Sequence, residues 1–277
     1  MTRFSSADDD SRAVGAAGSS ELIRVAHALA DAARAAILPH FRNAELNSDN
    51  KADRGYDPVT EADLAGETAM RAILARQRPT DGIVGEEFGS TPGTSGLDWV
   101  LDPIDGTRAF LCGAPSWGVL IGVTEESGRP IYGLIDQPWT RERFEGGFGR
   151  ATLQSPHGTR SLEVRRNREL SAATLMTTFP EIGTPDEGAA FRRVADRVQL
   201  TRYGIDCYAY ALLALGQIDL VIEAGLQRYD IAAPVALIEA AGGIVTDWTG
   251  GPAYHGGRVI AAATAELHDQ ALMLLAG

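Results

Sequence analysis

Apolar residues between positions 21 and 38 recur on a helical repeat: Leu22, Val25, Ala26, Leu29, Ala33 and Ile37 share one face, with Ser20 in the N-cap place and Pro39 at the exit. This predicts an amphipathic opening helix. A polar stretch over 43–56 leads to Thr60-Glu61-Ala62-Asp63, the form of a capping box, and to a second helix that carries Leu64, Met70, Ile73 and Leu74 and is closed by Pro79 and Gly82. Short apolar runs bounded by turn residues read as strands over 82–85, 99–101, 119–124 and 131–135, the last two joined as a hairpin. Further strand-like pieces cover 143–148 and 161–164. After a strand over 174–178, helices over 186–198, 207–215, 231–241 and 266–275 interleave with strands over 218–223, 243–247 and 258–262. The alternation implies a layered α/β chain whose seam near residue 167 separates an N-terminal part, 19–167, from a C-terminal part, 168–277.

At 277 residues the chain can bury one large core or two closely packed ones. Hydrophobic residues at 44% and charged residues at 22% are ordinary for a water-soluble domain, and no apolar run nears the roughly 18 residues of a membrane span. The first 18 residues have no signal-like apolar run and include the acidic Asp8, Asp9 and Asp10, so the expectation is a flexible N-terminus on a cytoplasmic protein. Cys112 and Cys207 form no CxxC pair, which leaves no basis for a disulfide framework or a thiolate zinc site; both are expected as small buried hydrophobes. Trp99, Trp117, Trp139 and Trp248 are expected in the core. A net charge of −12 argues against nucleic-acid binding, which draws on Lys and Arg. It still permits an anionic substrate, provided that divalent cations stand between the two.

The segment Asp98-Trp-Val-Leu-Asp102-Pro-Ile-Asp105-Gly106-Thr107 carries most of the chemistry. A strand delivers Asp102 at its end, Pro103 turns the chain, and Asp105 follows within reach, so two carboxylates and the Ile104 carbonyl can converge on hard cations. Gly106 and Thr107 open a predicted helix whose free amides favour a phosphate beside them. The spacing fits neither a calcium-binding EF loop nor a DxDxT nucleophile, though a helix cap with surface carboxylates would use the same residue types. Glu86 and Glu87 follow a strand, where a solvated loop is the plain alternative. Asp230 opens an apolar helix, where it could simply serve the helix dipole, and Asp63 could simply complete its capping box. No GxxxxGK[ST] loop or HExxH helix is present, the GxSxG elbow is missed at Ala114, and the five histidines show no ligand spacing.

Taken together, Asp57-Pro-Val-Thr-Glu-Ala-Asp63, Gly85-Glu86-Glu87, Asp102-Pro-Ile-Asp-Gly-Thr107 and Tyr229-Asp230 through Gly242-Gly243 resemble, in order, the four motifs of the inositol monophosphatase family. The resemblance spans about residues 20–275. It implies the alternating helix and sheet layers of the inositol monophosphatase and fructose-bisphosphatase-like sugar phosphatases, two or three Mg²⁺ per site, inhibition by Li⁺ and a homodimer. Carried onto this sequence, it implies Glu86, Asp102, the Ile104 carbonyl, Asp105 and Asp230 as metal ligands, with Asp63 beside Thr107 at the cleft. Glu86 and Thr107 would orient an attacking water, the amides of Gly106 and Thr107 would hold phosphate oxygens, and no covalent phosphoenzyme would form. Lys51 stands near the place of a family lysine close to the metals.

The run Thr107-Arg108-Ala109-Phe110 departs from the Thr-x-Asn-Phe of the inositol enzymes. With residues 133–138, Leu175-Met-Thr-Thr178 and Arg202-Tyr-Gly-Ile-Asp206-Cys-Tyr-Ala-Tyr210, the chain looks most like the histidinol-phosphate phosphatases of this family. That subfamily implies a small phosphate monoester as substrate, with Asp206 and Glu223 contacting its organic part. Phosphatases of inositol, sugar or 3′-nucleotide phosphates remain alternatives, as does a non-catalytic regulatory protein of the same fold.

Overall fold

The computed structural model describes residues 16–43, 48–50, 58–179 and 181–277, so Lys51, Asp57 and most of the polar stretch before Thr60 lie outside the described residues. Helix α1 (Ala16–Ile37) begins ahead of Ser20, which is therefore inside the helix and not its cap. Ala16 and Ala17 are strong helix formers and extend the helix backwards. Strands β1 (Ser48–Asn50) and β2 (Pro58–Thr60) form a small antiparallel ribbon. Helix α2 (Glu61–Gln77) starts on the foreseen capping box: the Thr60 hydroxyl accepts from the Ala62 amide at 3.1 Å and the Asp63 carboxylate accepts the Thr60 amide at 2.8 Å.

The next segment holds β3 (Gly82–Gly85), β4 (Gly89–Thr91), β5 (Leu97–Asp105), α3 (Thr107–Leu111), β6 (Gly118–Glu125), β7 (Pro130–Gln137), β8 (Glu142–Gly147), β9 (Arg150–Ser155) and β10 (Gly158–Ser161). These strands make an eight-stranded sheet in the order β10-β9-β8-β7-β6-β5-β3-β4, in which β3 and β5 are parallel. The strand expected over 161–164 is displaced. Leu162 and Val164 turn inward to the core, and the pairing belongs to β9 and β10 just before them. The rest of the chain supplies β11 (Thr174–Thr177), α4 (Pro185–Ala195), β12 (Leu200–Tyr203), α5 (Tyr208–Ala214), β13 (Leu220–Leu226), α6 (Arg228–Ala240), β14 (Ile244–Asp247), β15 (Gly257–Ala262) and α7 (Ala265–Ala276). Its five-stranded sheet runs β12-β11-β13-β15-β14. The exposed edge strands β4 and β12 lack a buried apolar face, so the sequence pattern did not announce them.

Alternation along the strands sorts side chains between layers. Trp99, Leu101, Val119, Ile121, Val123 and Leu134 meet α1 and α2 on one face of the large sheet. Leu120, Ile135 and Phe144 face the other way, toward α5 and α6. In the smaller sheet Val221 and Val259 point at α6, while Leu220, Ile222 and Ile260 point at α4 and α7. The layers thus run helix, sheet, helix, sheet, helix. Helix α1 is also tied to the large sheet by polar contacts: Arg34 and Arg143 share the buried Asp136, and His27 bonds Glu145 at 2.8 Å. Burial raises the Glu145 carboxyl, but hydrogen bonds from His27 and Tyr132 outweigh it and hold the group at about 2.

Helix α6 comes from the C-terminal part of the chain yet lies directly on the N-terminal sheet. Gly122, Gly133 and Gly146 occupy one rung across β6, β7 and β8. A Cβ at Gly146 would stand 2.6 Å from the Leu237 Cα, one at Gly122 2.9 Å from the Ala232 Cβ, and one at Gly133 would overlap the Ala233 carbonyl oxygen. The rung is a groove for a helix backbone. Trp99, Trp117 and Trp248 are buried as expected, whereas Trp139 is exposed in the β7–β8 turn, under the Arg42 guanidinium at 4.7 Å. Cys207 is buried, but Cys112 is exposed at the end of α3, which corrects the expectation for that residue.

Because the Ala233 carbonyl cannot move without shifting α6, Gly133→Ala should destabilise the protein by about 1–3 kcal/mol, the range for overpacking a close-packed interior. Chemical denaturation measures this. A loss below about 0.5 kcal/mol, the size of an ordinary surface substitution, would show that the helix is not seated on the rung.

Candidate active site

Strand β3 ends beside the middle of β5, with Gly85 opposite Leu101, and the Glu86 amide donates to the Leu101 carbonyl at 3.1 Å. Glu86 therefore leaves β3 next to Asp102, while β5 continues along β6. On a regular strand Asp102 and Asp105, three residues apart, would face opposite sides of the sheet. Pro103 has no N–H for the ladder, and the register with β6 slips so that Asp102 stands opposite Leu120 and Asp105 opposite Gly118. The extra residue is a bulge that restores the parity and brings both carboxylates to one side. The Ile104 amide donates back to the Asp102 carboxylate at 2.9 Å.

Asp230 reaches the same point from α6. Its carboxylate accepts the Gln227 amide at 2.6 Å, a cap at the helix start, while Arg228 fixes that end to β5 and β6 through Asp98 at 3.2 Å and Thr124 at 2.7 Å. One carboxylate oxygen from each of Asp102, Asp105 and Asp230 lies within 4.8 Å of the other two. Burial pushes the Asp102 carboxyl well up, and the charges of Glu86, Asp105 and Asp230 add to the shift. Burial likewise raises Asp105, followed by Asp230 and Asp206, against a 2.6 Å hydrogen bond from the Cys207 amide. Three like charges gathered this closely favour a cation among them. Carboxylates with a backbone carbonyl suit a hard divalent cation such as Mg²⁺. The Cys207 thiol, pushed well up by burial and then by Asp105, stays protonated and offers no thiolate.

Gly106 follows at φ 89°, a left-handed conformation that suits glycine, and a Cβ there would lie 2.8 Å from the Asp206 carboxyl carbon. The backbone of residues 106 and 107 can thus face the cavity. Helix α3 has only five residues, so its amides rather than a long dipole are what it offers an anion. The Thr107 hydroxyl lies 3.1 Å from the Ile104 carbonyl and 3.5 Å from the Asp63 carboxylate. Asp63 itself is fully buried under Thr107 and does not line the cavity.

Glu86, Asp102, Ile104, Asp105, Gly106, Thr107, Asp206, Glu223 and Asp230 line one cavity of about 390 Å³. Burial moves Glu223 up to about 7, although the Thr178 amide and hydroxyl donate to it at 2.7 and 3.0 Å. Asp206 is also raised by burial, against a hydrogen bond from Ser116 at 3.1 Å. Arg108 lies over the Phe179 ring at 4.9 Å, and both line the cavity. Sequence reasoning did not single out Tyr210 as a site residue. Its phenol is buried, lines the cavity, and has no hydrogen-bond partner among the described residues. Its helical spacing resembles that of any core aromatic, so only its surroundings reveal it.

Comparison with known proteins agrees with this geometry. A chloroplastic bifunctional phosphatase, IMPL2, from Arabidopsis thaliana is 42% identical over 90% of this chain and 73% of its own length. A histidinol-phosphatase from Streptomyces coelicolor is 37% identical over 90% of this chain and 95% of that protein. Among solved structures, an inositol monophosphatase from Zymomonas mobilis superposes with a TM-score of 0.82 at 42% identity, covering 93% of this chain and 98% of that one. Residues 19–276 match the inositol monophosphatase family as a whole, so this chain belongs to that family and is a hydrolase of phosphate monoesters.

Proposed function

We propose that the protein hydrolyses L-histidinol phosphate to L-histidinol and phosphate in a Mg²⁺-dependent reaction, as a cytoplasmic homodimer serving histidine biosynthesis. The observation that carries the reading is one cavity that joins a close cluster of carboxylates to the further acidic groups Asp206 and Glu223 and to a phenol with no hydrogen-bond partner among the described residues. Glu86, Asp102, the Ile104 carbonyl, Asp105 and Asp230 would hold the ions. Bound there, Mg²⁺ supplies charge to oppose the phosphoryl oxygens and to acidify water.

The remaining work falls to the chain's own groups. Glu86 and Thr107 orient the attacking water, with Asp63 accepting from the Thr107 hydroxyl and fixing its direction. The amides of Gly106 and Thr107 hold phosphate oxygens, where fixed donors oppose the charge that spreads in the transition state. Histidinol phosphate carries an ammonium and an imidazole. Asp206 and Glu223 offer acceptors to them, and the Tyr210 phenol can donate or accept. Relatives named as histidinol-phosphatases support the assignment, and the Zymomonas relative makes inositol 1-phosphate the competing substrate.

Two experiments test this reading. Asp105→Asn should lower turnover by more than the 10–100-fold typical of a group that only supports a ligand, and EDTA should abolish wild-type activity until Mg²⁺ is restored. Undiminished hydrolysis in EDTA would sink the metal assignment.

For the substrate, wild type should release phosphate from histidinol phosphate faster than from inositol 1-phosphate. Asp206→Asn and Glu223→Gln should then cut kcat/KM for histidinol phosphate by the equivalent of about 2–5 kcal/mol, the typical cost of breaking a closed charge pair, and leave p-nitrophenyl phosphate nearly unchanged. A parallel fall on both substrates would assign these carboxylates to the fold or the metals instead.

A further inference from the structure

Asp63, Glu67 and Arg71 stand four residues apart on α2 and so share one helix face. Asp63 reaches the turn after β5 through Thr107. Glu67 reaches the other turn of the site, the one that carries Glu86. Fully buried in the middle of the helix, the Glu67 carboxylate accepts the Glu87 amide at 2.7 Å, the Phe88 amide at 3.3 Å and the Arg71 Nε at 2.7 Å. Arg71 continues the chain of bonds to the Gly89 carbonyl and to the Thr91 hydroxyl at 3.1 Å. Gly85 completes the seat, since a Cβ there would overlap the Glu67 carboxylate.

A buried ion pair is a weak source of stability, because desolvation offsets most of the attraction, and an apolar pair of similar volume would fill the space as well. The arrangement does supply direction. Glu86 leaves β3 next to Asp102 of β5, so where its side chain points depends on how this turn is held. Two amides donated to one fixed carboxylate hold it, while the Glu86 amide is pinned to Leu101 from the other side.

We propose that Glu67, oriented by Arg71, is a positioning residue that fixes the Glu86 turn for cation binding and water orientation. The inference rests on the reading of Glu86 as a metal ligand. Glu67→Gln keeps the volume but removes the charge that grips both amides and Arg71.

The test is a double-mutant cycle with Glu86→Gln, read by calorimetric titration of Mn²⁺ into the metal-free protein and by p-nitrophenyl phosphate hydrolysis. Glu67→Gln alone should weaken Mn²⁺ binding about 10–100-fold. In the Glu86→Gln background it should weaken binding little further, because the group it positions has already been altered. Unchanged Mn²⁺ affinity in the single variant, or an equal loss in both backgrounds, overturns the proposal. If Glu67→Gln does not fold, Arg71→Lys takes its place in the same cycle, with a smaller loss expected in the same direction and the same overturning outcomes. Asp105→Asn keeps the two readings apart. If that variant retains full Mn²⁺ affinity the metal site itself is wrong, whereas a normal Asp105→Asn loss beside an additive cycle sinks only the role of Glu67.

Discussion

Helix α6 can lie against the large sheet only because one rung of that sheet has no side chains. Gly122, Gly133 and Gly146 let the helix backbone approach to contact distance, and the helix start then falls beside the end of β5. Arg228 anchors that start to Asp98 and Thr124, and Asp230 follows within the same helical turn. The opposite face of the helix packs on the smaller sheet, so the same contact joins the two parts of the chain into one core.

Once α6 is seated, electrostatics dominate. Asp102, Asp105 and Asp230 converge at the cavity wall, Asp102 buried and the other two half-buried, and their mutual repulsion adds to the cost of burial. Such a cluster destabilises the metal-free fold, and the surrounding bonds show how it is held. The amides of Ile104, Cys207 and Gln227 each donate to one of the three carboxylates. A cation entering this site gains the attraction that the fold has already arranged, without a large rearrangement of ligands.

Both turns beside the carboxylate cluster depend on helix α2, through the buried Asp63 and Glu67. Another part of the cavity wall comes from β13, α5 and the segment after β11, which supply Glu223, Tyr210 and Thr178. In the proposed reading, changes in the second group alter which ester is accepted without disturbing the first.

The four motifs and the periodicity of the long helices were legible in the sequence because they are local. A capping box needs residues three apart, and an amphipathic face needs a repeat of three and four. Short-range spacing also exposed the carboxylates of β5 and the helix opening at Gly106 and Thr107. It could not show that Pro103 introduces a bulge and so reverses the parity of Asp105, since that depends on the register with β6. The edge strands β4 and β12, the exposed Trp139 and the exposed Cys112 escaped for a related reason: burial belongs to the neighbours and not to the residue. Glu67 and Tyr210 read as an ordinary helical glutamate and an ordinary core tyrosine. Only tertiary contacts turn one into a brace for the Glu86 turn and place the other in the cavity with no hydrogen-bond partner among the described residues. The sequence by itself determined which chemical groups are present and how the long helices and the Thr60 capping box fold. The tertiary structure decided which of them meet, because hydrogen bonds and charge interactions act over a few ångströms of space however far apart the residues lie along the chain.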